Sequence, residues 1–141
     1  MPHSPRIDSD GSVLLLDSGR GQIVRIDPTS GARADIGFCP GFLRGMALHD
    51  GHAIVTISKP RGGTFAGLEL DAALAARDAD AWCGVLIVNL ASGDIVEWIR
   101  LEGAITEVFD VAAMPGTRCP MAVGPGTLEM RNTISFEPLP E

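Results

Sequence analysis

The spacing of apolar runs and turns constrains this chain most. Six short runs, "SVLLLD", "QIVRID", "HAIVTIS", "GVLIVNL", "DIVEWIRL" and "VFDVAAM", are rich in branched aliphatic residues, the composition of strands. Between them stand "DSDG", "DSGRG", "DPTSG", "HDG", "LASGD" and "MPG", each with a glycine where a tight hairpin needs positive φ. The pattern predicts an all-β protein of antiparallel meanders. One segment departs from it. In "LELDAALAARDADAW" (68–82), Leu70, Ala73, Leu74 and Arg77 fall at helical spacing, with Glu69 and Asp71 near the favourable end. Asp78 and Asp80 oppose the helix dipole at the other end, so the expectation is one short helical insertion near 68–81.

The strand pattern repeats. "RIDPTSG" (25–31) aligns with "IVNLASG" (87–93), matching Asp27 to Asn89 and Gly31 to Gly93, and "SDG", "HDG" and "MPG" each separate a first strand from a second. Three four-stranded units follow, at about 4–42, 43–105 and 106–137, with "TISFEPL" as the last strand. Blade-sized units of this kind suggest a propeller. Three blades do not close a ring of four to eight, so the expectation is a half-propeller completed by oligomerisation, with a homodimer of six blades as the simplest closed form.

A chain of 141 residues with 45% hydrophobic content has the size of one domain with a real core. Eighteen acidic against eleven basic residues give a net charge of −7, and the basic residues are scattered, which argues against a nucleic-acid partner. The uncharged stretches fall short of the roughly 20 residues that span a bilayer, and the start shows no basic-then-apolar leader. No membrane association and a cytoplasmic location are expected. Cys39, Cys83 and Cys119 form no C-x-x-C pair or zinc ligand set. They read as buried free thiols, which weakly favours a reducing compartment.

The segments "MPHSPR", "LLDSGRGQIVRIDPTSG", "FLRGMALHDGHAIVTISK", "TFAGL", "CGVLIVNLASGDIVEW" and "ITEVFDVAAMPGTRCPM" together resemble the C-terminal part of an uncharacterised bacterial family of propeller-like domains. In that family the PHSP-like segment follows a further stretch of propeller, so the resemblance implies that Met1 sits at a blade boundary. It implies no activity and no catalytic residue.

Aligned on their glycine turns, the three openings put Ser4 level with Arg44 and Phe109, and Pro5 level with Gly45 and Asp110. If first strands line a central axis, His3, Ser4, Arg44, Glu107 and Asp110 gather at one mouth. Such a group suits a small anionic or polar ligand, with Arg44 offering a fork of donors. The alternative is a divalent metal ion held by His3, Glu107 and Asp110, as in a metal-assisted hydrolase or lactonase. The plainer reading is that these groups pair among themselves. His49 and His52 read as solvated turn residues, and "DSGRG" as a hairpin turn in place of an anion-binding nest. No G-x-S-x-G elbow is present, and His3 and Ser4, adjacent in a strand, would point to opposite faces. The loop "SKPRGGTFAGL" (58–68), with Lys59 the only lysine, is either a connector or a lid. Trp82 and Trp98 read as packing anchors, and the prolines of "FEPLPE" as an end to pairing. The functional expectation is a non-enzymatic binding or assembly module with no cofactor.

Overall fold

The structure, a computed structural model, describes residues 1–132. It contains two four-stranded antiparallel sheets. The first is β1 (Pro2–Ile7), β2 (Val13–Asp17), β3 (Gln22–Ile26) and β4 (Arg33–Phe38). The second is β5 (Phe42–His49), β6 (His52–Ser58), β7 (Cys83–Asn89) and β8 (Ile95–Leu101). In both, the spatial order is the chain order, as tight glycine turns require.

The sequence repeat is a repeat of turn chemistry. Asp27 Oδ1 accepts from the backbone N–H of Thr29 and Ser30, and Gly31 N–H donates to the Asp27 carbonyl. Asn89 Oδ1 accepts from Ala91 and Ser92 N–H, and Gly93 N–H donates to the Asn89 carbonyl. Asp and Asn reach their own backbone two residues on, which fixes such turns locally. The glycines at 31 and 93 have φ of 72° and 80°, a region that suits a residue without a Cβ.

The first strands share a second feature. In β1, His3 pairs with Leu16 and Arg6 with Leu14, so Ser4 and Pro5 bulge opposite Leu15. In β5, Leu43 pairs with Ile57 and Met46 with Val55, so Arg44 and Gly45 bulge opposite Thr56. Bulges re-aim side chains, and these two occupy the same place in their sheets.

Leu14, Leu16 and Ile23 share one face of the first sheet, and Ala53, Val55, Ile57, Leu86 and Val88 one face of the second. With Cys39, Leu43 and Met46 they form one buried cluster that welds the sheets together. A smaller cluster of Phe65, Leu70 and Leu74 packs with Phe38, Phe42 and Leu68 under the insertion.

That insertion contains α1 (Glu69–Ala75), shorter than the 68–81 expected. It ends at Ala75 with Ala76 as its C-cap, and just beyond it Asp78, one of the acidic residues that oppose its dipole, turns to φ 49°. The third sheet is not there: among the described residues, 106–132 contain no strand, only turns and a short α2 (Leu128–Asn132). "VFDVAAM" has strand composition but no hairpin partner, and a lone strand cannot satisfy its backbone groups. The strand expected in "TISFEPL" lies outside the described residues. Trp82 packs against the core as anticipated, whereas Trp98, on the edge strand β8, is 62% exposed. Cys39 and Cys83 are buried free thiols, but Cys119 is exposed. Among the described residues no helix is long and apolar enough to cross a membrane.

Candidate functional site

The segments around Ser4, Arg44 and Thr106–Asp110 lie against one another. Ser4, with φ 45°, donates from Oγ to the carbonyl of Arg44 at 2.7 Å. Ser18 Oγ donates to the Leu43 carbonyl at 2.6 Å, and Gly45 N–H donates to Thr56 Oγ1 at 2.7 Å. The third opening runs past the end of β6: Lys59 N–H donates to the Thr106 carbonyl at 2.9 Å, and Val108 N–H to Ser58 Oγ at 3.1 Å. It passes close to β5 at Gly45, where a Cβ would stand 2.5 Å from Asp110 Cα.

These contacts frame an open cavity of about 500 Å³. Its polar wall is His3, Arg44, Lys59, Arg61 and Glu107, and its apolar wall includes Phe42, Phe65 and Leu68. Arg44 is held between two rings, with its guanidinium carbon 5.2 Å from the Phe42 centroid and 4.9 Å from that of Phe109. Its Nη2 lies 3.7 Å from Glu107 Oε2, while its Nε is buried with no hydrogen-bond acceptor among the described residues. Arg61 grips the same carboxylate more closely: Nε meets Oε1, and Nη2 donates to Oε2 at 3.1 Å. That side-on, two-point geometry is how a guanidinium recognises a carboxylate.

The charges shape each other. The hydrogen bond from Arg61, reinforced by the charges of Arg61 and Arg44, holds the Glu107 carboxyl below its usual range. Burial, then repulsion from Arg44 and the amino terminus, depresses the pKa of His3. His3 is thus a neutral ring at pH 7, set edge-on to Phe42 at 5.6 Å.

Comparison with protein families shows that residues 1–123 match the model of a domain of unknown function, DUF4915. The chain belongs to the DUF4915 family. No curated protein matches it. In this DUF4915 chain, both sheets and every residue of the cavity lie within the matched segment.

Of the five residues that the DUF4915 sequence singles out, His3, Arg44 and Glu107 line the cavity. Ser4 is not part of the lining and touches it only through its hydrogen bond to the Arg44 carbonyl. Asp110 lies against Gly45, outside the lining, and its Oδ1 accepts from Val111 N–H at 2.9 Å. Among the described residues no three His, Cys, Asp or Glu side chains are grouped so as to hold a cation, so His3, Glu107 and Asp110 do not assemble as a metal set. His52 Nδ1 engages the Asp50 carbonyl at 2.7 Å within its turn. The N–H groups of Arg20 and Gly21 in "DSGRG" are consumed inside the turn, on the carbonyls of Asp17 and Ser18. A second surface depression, of about 610 Å³ between the hairpin turns of the first sheet, is lined by Asp10 and Asp27, which spend their carboxylates on those turns.

Sequence reasoning missed Arg61, Phe42 and Phe65. The available signal was the pair of cations Lys59 and Arg61, two residues apart in the glycine-rich loop. That loop supplies most of one cavity wall.

Proposed function

We propose that this chain is a non-enzymatic binding module that holds a small anionic or polar ligand between β1, β5 and the 59–68 loop. One observation carries the proposal. In a chain of net charge −7, Arg44, Lys59 and Arg61 converge with the terminal residue Met1 on a single cavity that holds one carboxylate, Glu107. Excess cation beside aromatic faces favours an anion with an apolar body. The test is a thermal-shift series with small carboxylates and inorganic phosphate. At least one anion raises the melting temperature of the native chain, and Arg44→Ala loses that rise. No rise with any anion at millimolar concentration overturns the proposal.

We further propose that the two sheets are propeller-type blades that self-associate, a homodimer being the simplest assembly. The matching bulges of β1 and β5, the matching Asp27 and Asn89 turns, and the exposed Trp98 and Ile99 on the edge strand β8 support it, because apolar edges invite pairing. Light scattering is expected to give a mass above one chain, reduced to one chain by Trp98→Glu. A native monomer at high micromolar concentration excludes it. The metal-assisted hydrolase alternative has no grouped ligand set among the described residues to carry it.

A further inference from the structure

We infer that Glu107 is a built-in stand-in for the ligand, and that the ligand is a small carboxylic acid with a planar apolar body whose carboxylate displaces Glu107 from Arg61 and Arg44. This rests on the anion-binding reading above and specifies its chemistry.

The argument starts from what Arg61 and Arg44 already hold. A carboxylate is bound side-on by Arg61 through two nitrogens, with Arg44 behind it at 3.7 Å. Two cations around one flat, two-oxygen anion form a site sized for a carboxylate, whereas a tetrahedral phosphate would present its oxygens in a different arrangement. Glu107 is delivered by a segment that forms no sheet. It is anchored near that carboxylate by the Thr106 carbonyl and Val108 N–H contacts to Lys59 and Ser58, so its side chain can leave without disrupting a strand ladder. Arg61 is 72% exposed and Glu107 16% exposed, so water reaches the pair from the Arg61 side and screens it there. An incoming carboxylate that takes the same two Arg61 nitrogens remakes the bonds that Glu107 gives up, so the exchange is opposed chiefly by moving the Glu107 side chain out into solvent. Beside it, the rings of Phe42 and Phe65 stack at 6.2 Å and 23°, a flat apolar wall for the body of the ligand. Lys59 has no carboxylate partner among the described residues and adds a further positive charge to the cavity.

Benzoate is the probe, with inorganic phosphate as the contrast. Calorimetric titration of the full chain is expected to show benzoate binding that tightens at least about tenfold in Glu107→Gln, because the internal competitor is gone, and weakens in Arg61→Gln. Circular dichroism checks that both variants fold. In the native chain, the NMR signal of Arg61 Nε–H is expected to shift saturably with benzoate, a readout that does not depend on the stability of any variant. Benzoate binding that is unchanged or weaker in folded Glu107→Gln overturns the stand-in role. Phosphate binding without benzoate binding, or benzoate binding that leaves Arg61 Nε–H unmoved, overturns the carboxylate assignment. Those results leave the anion site itself standing. Silence from every anion in native and variant chains alike removes the underlying reading.

Discussion

Ser4 and Arg44, 40 residues apart, are joined by a 2.7 Å hydrogen bond from the Ser4 hydroxyl to the Arg44 carbonyl. Each is the first residue of its sheet's bulge, so the bond ties the two repeats together at equivalent points and fixes the backbone that carries the Arg44 guanidinium. Ser4→Ala leaves a part-buried carbonyl without its donor and is expected to cost about 1–2 kcal/mol in urea denaturation. Stability equal to the native chain would show that the bond is dispensable.

Gly45 is a steric hinge between β5 and the segment bearing Glu107. Adding a methyl puts a carbon 2.5 Å from Asp110 Cα, and backbone cannot yield there as a flexible side chain would. Gly45→Ala is expected to lose about 1–3 kcal/mol and to release the 106–110 segment, seen as faster amide exchange at Val108. Unchanged exchange would mean that the segment is held elsewhere.

The depressed pKa of His3 sets a pH dependence. Burial is the main cause, with repulsion from Arg44 and the amino terminus added, and Lys59 and Glu107 line the same cavity. The unfolded chain protonates this ring near its ordinary 6.5, while the folded chain resists until lower pH. In that interval the unfolded state binds more protons, so stability rises with pH and is lost as pH falls through the folded pKa. The melting temperature is expected to decline as pH falls from the ordinary 6.5 through the lower folded value, and His3→Gln to flatten that step. Glu107, depressed mainly by Arg61, acts in a lower window: its contribution is present above its ordinary 4.5 and is lost as pH falls through its folded value. A decline that survives His3→Gln assigns the step to another group.

Thiol chemistry separates the three cysteines. Burial pushes the Cys39 thiol up to about 12 and also raises that of Cys83, whereas Cys119 is exposed. A thiolate is required for attack, so a disulfide reagent is expected to titrate one thiol rapidly in the native chain and all three after denaturation. Two fast thiols would contradict the packing of the core around Cys39 or Cys83.

Arg44→Lys tests whether shape or charge matters in the cavity. Lysine keeps the charge but not the planar stacking between Phe42 and Phe109. Anion affinity is expected to fall several-fold with little change in overall fold by circular dichroism. Full retention would reduce the role of Arg44 to charge alone.

What local chemistry controls was legible in the residues themselves. The Asp27 and Asn89 turns are built from bonds spanning two to four residues, and the apolar alternation of β2, β6 and β7 follows from burial of one face. Even the level placement of Ser4 with Arg44 could be counted from the glycine turns. Tertiary structure alone decided the rest. "VFDVAAM" looks like a strand, but a strand exists only where another backbone meets its N–H and C=O groups, and nothing in seven residues says whether one does. Arg61 entered the site, and Asp110 fell outside its lining, for the same reason. Both lie outside the strands and helices of this fold, where position is set by contacts such as Lys59 with Thr106 between residues far apart in the chain.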